Sequence, residues 1–425
     1  MTIAIIGMLD EREEGLRLLR EQIEQSGHKT ILIDFSIGTG GIKASLKADI
    51  TCDEVAQAGG MSIDTIRKTL AKERKEATSA MAEGLTRKML ELYRAGEVKG
   101  IIAVGGMTGT LMSISAMKAL PLGLPKLLIS SVTAIPAYTG KLAEYFSIRD
   151  ITVMHSVVDT VGLNPLVRSL MVNGAGAICG MVEKYEPPEK EGKPSIAITE
   201  FGFCDQGAYY VRDHLEGSYT FVSFHATGLG DRAVEEMVGQ GLFEGFVDLV
   251  PSTLGEYLLG GNRPSGPDRL EAAGNQGIPY ILSPCGFDMI SCGPLERRDK
   301  ADPLWVSRKL AERKILVQDA IRVQARTNAE EMQTTARAVA EKLNQHRDKK
   351  LVKFLIPTRG FSSLSVEGGP LYDPDTDKVF VDTLRKNLDP EINVIEVDTH
   401  INTQEFARAV AEALTESFKL QAKTT

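Results

Sequence analysis

The chain is 425 residues long, with 43% apolar and 25% charged residues, which supplies two packed cores more naturally than one. Its 49 basic and 57 acidic residues are interspersed, giving a formal net charge of −8, and this argues against a nucleic-acid or membrane surface as partner. Five cysteines without a CxxC pair read as reduced thiols; with no basic leader, and no apolar run read as long enough to cross a bilayer, the expectation is a cytoplasmic protein.

Ile3 to Ile6 is a β-branched run ending at Gly7, as a buried parallel strand requires. Glu13 to Gln25 carries Leu16, Leu19 and Ile23 at helical spacing, and Thr30 to Phe35 is a second strand. Ile63 to Val98 is expected as one long helix, with Ala77, Met81, Leu85, Met89 and Leu92 on one face. Ile101 to Val104 and Lys126 to Ser130 are further strands. Tyr185 to Pro194, charged and holding three prolines, is a linker. Beyond it, strands are expected at Ser195–Thr199, Tyr219–His225, Gly245–Val250, Pro279–Ser283 and Leu351–Ile356, with an edge strand at Val394–Val397 and helices at Arg232–Gln240 and Glu330–Asn344. Alternating strands and helices predict the α/β class. Two such domains are expected, residues 1–184 and 195–425 around a linker at 185–194, each a mostly parallel sheet flanked by helices.

Ligands of open parallel sheets bind beyond the carboxyl ends of the strands, and there the sequence is unusual. After the strand ending at Val104 come Gly105, Gly106, Met107, Thr108, Gly109 and Thr110, and then a helix. Glycines admit a ligand to the backbone and a helix N-terminus attracts an anion; the alternative is a tight turn with no ligand. No Gly-Lys-Ser/Thr follows, so this is not a P-loop. Ser130, Ser131 and Thr133 offer hydroxyls after the next strand. Asp34 and Asp10 stand at strand ends, as ribose or ligand contacts or as helix caps. In the second half His225, Thr227, Gly228 and Arg232 repeat the strand–glycine–helix pattern. His225 is a candidate acid/base or phosphate donor, or a histidine satisfied by its own loop, and Asp288 a second catalytic candidate. Cys285 reads better as a buried thiol than as a nucleophile, and Glu200 with Asp205 lacks a metal signature, so no metal site is assigned.

Several short motifs occur together in order: Ile5-Ile6-Gly7-Met8-Leu9-Asp10, Val104-Gly105-Gly106-Met107-Thr108-Gly109-Thr110, Ser156-Val157-Val158-Asp159, Phe224-His225-Ala226-Thr227-Gly228, Arg269-Leu270-Glu271-Ala272-Ala273 and Pro357-Thr358-Arg359-Gly360-Phe361-Ser362. Through them the chain resembles, nearly end to end, the bacterial and plant family named for the ATP-binding domain of a tomato-mosaic-virus resistance protein. The resemblance implies two Rossmann-like domains, ATP with a magnesium ion as ligand, a homodimer or higher homo-oligomer, and a separate barrel-domain protein as possible partner. The nucleotide is expected near Gly105 to Thr110 and Ser130 to Thr133, in a cleft between the domains, with His225, Arg232, Asp288 and Arg359 facing it from the other side. The family follows its first aspartate with Thr-Lys, where this chain has Glu11-Arg12. The expected function is that of an ATP-binding enzyme or regulator acting on a small anionic metabolite. A non-catalytic module binding a protein partner, and a non-nucleotide enzyme for a phosphorylated or carboxylate metabolite, stand as alternatives.

Overall fold

The computed structural model describes residues 1–9, 12–38, 44–70, 72–135, 146, 148–187 and 192–424. Two compact units divide the chain, Met1–Glu189 and Lys190–Thr425.

The first unit runs β1 (Thr2–Gly7), α1 (Glu13–Gln25), β2 (Lys29–Asp34), α2 (Cys52–Ala58), α3 (Ile63–Leu70), α4 (Arg74–Arg94), β3 (Gly100–Gly105), α5 (Met107–Ala119), β4 (Lys126–Ser130), β5 (Thr152–His155) and α6 (Pro165–Glu183). Its strands pair parallel in the order β2-β1-β3-β4-β5. A parallel sheet must be covered on both faces, and alternation along the strands sorts the two cores. Ala4, Ile6, Ile101 and Ala103 pack under α2 to α5, while Ile3, Ile5, Ile102 and Val104 pack under α1 and α6.

Two sequence expectations fail here. The long helix is two: α3 ends at Leu70, and Glu73 at φ −133° precedes α4. An unbroken helix rises about 1.5 Å per residue and would carry Ile63 and Ile66 away from the core; the break lets them bury beside Ala77, Ala80 and Met81. Second, α6 is long and apolar enough, by length and composition, to cross a membrane. Its stripe of Val167, Met171, Ala175, Ile178 and Val182 is buried in the first unit's core, the behaviour of a core helix. Strand β5 was not anticipated, because Thr152, Val153 and His155 are exposed and leave no apolar alternation.

The second unit runs β6 (Ser195–Glu200), α7 (Asp205–Leu215), β7 (Thr220–His225), α8 (Leu229–Gly239), β8 (Gly245–Asp248), α9 (Thr253–Leu259), α10 (Ala272–Gln276), β9 (Tyr280–Leu282), β10 (Met289–Ser291), α11 (Glu296–Asp299), α12 (Pro303–Ser307), β11 (Ile315–Val317), β12 (Val323–Arg326), α13 (Ala329–Leu343), β13 (Val352–Pro357), α14 (Pro374–Asn387), β14 (Asn393–Val397) and α15 (Gln404–Thr424). Its main sheet is parallel, in the order β14-β13-β9-β8-β6-β7. Counted from each unit's first strand, both sheets follow 2-1-3-4-5, the second adding a sixth strand at the edge. A three-stranded antiparallel sheet, β10-β12-β11, is inserted between β9 and β13.

Arg269, with no exposed surface, ties the second unit together. Its guanidinium forks onto Asp248 at 2.7 Å and reaches Asp231 at 3.2 Å and Glu235 at 2.9 Å. Asp248 also accepts from Thr199 at 2.6 Å and Tyr280 at 2.7 Å, and Asp231 from Thr253 at 2.7 Å. Burial pushes the carboxyls of Asp231 and Glu235 up, and the Arg269 charge opposes that rise. Arg269→Met strands three buried carboxylates and should cost about 3–5 kcal/mol. Urea unfolding measures it, and a loss below about 1 kcal/mol would show that the network is not holding the unit.

Arg326 of β12 reaches Asp377 of α14 at 2.6 Å, and burial pushes that carboxyl up to about 7 against the attraction of Arg326, with Asp288 and Asp373 adding to the rise. The unfolded chain releases this proton near about pH 4, so unfolding releases a proton between there and pH 7, and the group's contribution to stability falls across that window as pH rises. Asp377→Asn lacks the titration. The stability gap between wild type and variant should therefore narrow from about pH 5 to about pH 8, and a gap that widens contradicts the assignment.

Candidate functional site

In the first unit the chain turns one way from β1 to β2 and the other way to β3, so a crevice opens beyond the carboxyl ends of β1 and β3. Register brings the strand-end candidates to one edge of the sheet. Gly7 pairs with Asp34 on one side and Val104 on the other, Gly105 with Ser130, and Ser130 with His155.

The glycines of the β3–α5 turn serve different ends. A Cβ on Gly105 would lie 2.9 Å from the Gly109 and Thr110 backbone, so this glycine lets α5 fold back against its strand. A Cβ on Gly106 would meet only the Arg12 guanidinium, at 3.0 Å. Gly106 is the N-cap of α5, no side chain among the described residues caps the helix, and no acidic residue lies in its first turn. Its amides therefore keep both their donors and the positive end of the dipole.

Two arginines flank this terminus. Arg12 is largely buried, donates to Thr160 Oγ1 at 3.2 Å and Asp159 at 3.1 Å, and so is held in place beside Gly106. The loop that presents Asp159 and Thr160 contains Val157 at φ 62°, a strained setting for a β-branched residue that costs about 1–3 kcal/mol and points to a constraint at this site. Arg74 of α4 donates to Thr108 Oγ1 at 3.4 Å. Beside it, between α4 and α5, opens a groove of about 480 Å³ lined by Arg74, Lys75, Thr78, Thr108, Met112 and Ser115 among others.

Other first-unit candidates build the scaffold of this site. Thr110 and Ser130 are buried and share a hydrogen bond at 2.7 Å, pinning α5 to β4. Thr133 bonds His155 Nδ1 at 3.0 Å, and Ser131 is half-buried. Asp34 accepts from the Leu9 amide at 3.1 Å and from Ser36, holding the exit of β1. Together with burial, Asp34 pushes the Cys52 thiol up to about 11. Asp10 lies outside the described residues.

The second unit treats its matching stretch differently. Gly228, at φ 90°, and Gly230 are required by packing: Cβ atoms there would lie 2.9 Å from Pro264 O and 2.1 Å from His225 O. The N-terminus of α8 is served by its own Asp231, which accepts from the Gly228 amide at 2.9 Å. An anion finds that end already occupied by a buried carboxylate. His225 and Thr227 are exposed, and Arg232 has a buried Nε without a hydrogen-bond partner among the described residues. Asp288 is fully buried and accepts from Gly286 N at 3.0 Å and Ser362 Oγ at 2.5 Å, fixing the loop after β9. Arg359 is exposed and paired with Asp398 at 2.6 Å. Cys285 is buried, and burial raises its thiol well above the ordinary range.

Arg74, His155, Asp159 and Thr160 were not singled out as site residues from the sequence. Asp159 lies in a motif that carries the family resemblance, and His155 directly precedes it; Arg74 leaves no such signal.

The profiles described as Uncharacterised protein family (UPF0261) N-terminal domain and C-terminal domain match residues 1–187 and 193–418. A UPF0261 protein of Clostridium tetani is 34% identical over 414 residues, 97% of this chain and 98% of that protein. A UPF0261 protein of Mesorhizobium japonicum is 32% identical over the same shares. The ToMV resistance protein Tm-1(GCR237) of Solanum lycopersicum is 29% identical over 97% of this chain, which corresponds to 55% of the tomato protein. With both profiles matched in order and full-length relatives at this identity, the chain belongs to the uncharacterised protein family UPF0261.

Proposed function

We propose that the chain binds ATP, with its phosphates on the N-terminus of α5 between Arg12 and Arg74, as an enzyme or regulator acting on a small anionic metabolite. The observation that carries this reading is the uncapped α5 terminus at the β1/β3 switch point, with a guanidinium 3.0 Å from the Gly106 Cβ position. Amide donors, the helix dipole and two cations converge on one spot, the combination that a polyphosphate needs. The adjacent groove is of a size that ligand sites commonly have and offers Met112 and Leu111 as apolar wall. Magnesium, which takes most of its ligands from water and phosphate oxygens, would arrive with the nucleotide.

Gly106→Val places a branched side chain where the phosphate and Arg12 meet, and Arg12→Gln removes a charge. Each should weaken binding of ATP with magnesium about tenfold or more in titration calorimetry, the value of one or two charge-assisted hydrogen bonds. Gly176→Ala, on the exposed face of α6 with open space around it, should leave affinity unchanged. An unaltered ATP affinity in Gly106→Val would refute the site.

A further inference from the structure

We propose that the second unit carries a site of its own, for a small organic carboxylate with an apolar body. It lies wholly within that unit and does not depend on the nucleotide reading. A pocket of about 430 Å³ opens beyond the carboxyl ends of β6 and β7, where Phe201, Gly202 and Phe203 leave β6 and His225 closes β7. Ile321, Val323 and Gln324 from the inserted antiparallel sheet and the loop before β12 form another wall.

The polar centre of this pocket is Arg263. Glu256, whose side chain is wholly buried, accepts from its Nε at 3.2 Å and its Nη2 at 2.8 Å. Ser291 Oγ accepts from Nε at 2.7 Å, and the guanidinium stands over the Phe201 ring at 5.0 Å. Ser291 is fixed in turn, its amide donating to Glu256 at 3.0 Å and its hydroxyl to Gln324 at 2.8 Å. Nε and Nη2 are thus engaged, while Nη1 has no hydrogen-bond partner among the described residues. A buried carboxylate is costly, and here it orients a cation whose remaining donor edge lies on a pocket. Such a pre-set planar donor matches a carboxylate.

The rest of the lining agrees. Arg322, itself paired with Asp319 at 2.7 Å, and His225 line the pocket beside one lining carboxylate, Asp205. The His225 ring has no hydrogen bond among the described residues, which leaves it available as a second donor. Phe201, Phe203, Ile321 and Val323 supply apolar wall, so a bare anion would leave most of the pocket unfilled. The volume lies in the range that small-molecule sites occupy.

The test uses the full chain without nucleotide, and phenylacetate as probe in saturation-transfer NMR. Saturable binding is expected, displaced by 3-methylbutanoate and by neither inorganic phosphate nor benzylamine. Arg263 itself is an unsafe target, because its loss strands Glu256. Ile321, 72% exposed at the pocket wall, is the safer one. Ile321→Trp fills the pocket and should weaken phenylacetate about tenfold or more with the melting temperature unchanged; His225→Ala should weaken it less. Absence of phenylacetate binding, its survival intact in Ile321→Trp, or equal displacement by phosphate or benzylamine would overturn the proposal.

Discussion

Parallel strands can be joined only by crossovers, and those crossovers have a fixed hand, so a sheet that grows first to one side of its opening strand and then to the other must leave a gap where the two directions part. Both units of this protein are built on that reversal. In the first unit the gap lies between Gly7 and Gly105, and what surrounds it follows from the register. The strand pairing that buries Ile5 and Ile102 also sets Asp34, Ser130 and His155 along the same edge. The hydrogen bonds of Thr110 with Ser130, and of Asp34 with Leu9, then fix the loops around the gap.

The two glycine-bearing turns differ in electrostatic sense and in place, for α5 follows the third strand of its unit and α8 the second. Helix α5 starts without a side-chain cap among the described residues and with arginines nearby. Helix α8 starts on a buried aspartate that belongs to the Arg269 network. The proposed anion site at a strand-to-helix turn is therefore placed in the first unit. In the second, the glycine turn before α8 is a structural joint, and an open polar donor edge is found on Arg263, in a pocket completed by the inserted sheet.

Much of this was legible in the residues. Buried parallel strands leave compact apolar runs such as Ile101 to Val104, and their glycine ends announce the turns. The largely exposed β5 and the three-residue strands of the inserted sheet were not legible, because neither is long enough or apolar enough to show a period. At the site, the run Gly105 to Thr110 stood out, yet its glycines look alike in sequence. Only their neighbours separate Gly105, needed for packing, from Gly106, open to a guanidinium. Arg74 meets Thr108 across 34 positions and Arg269 meets Asp231 across 38, distances at which composition and spacing carry no signal.

The central claim is that the backbone amides at the start of α5 hold the phosphates. The most direct measurement is a ¹H–¹⁵N spectrum of the chain labelled at glycine, titrated with ATP in the presence of magnesium. The account predicts saturable shifts of the Gly106 and Gly109 amides, with Gly228 and Gly230 unmoved. Shifts confined to the Gly228–Gly230 turn, or none at Gly106, would contradict it.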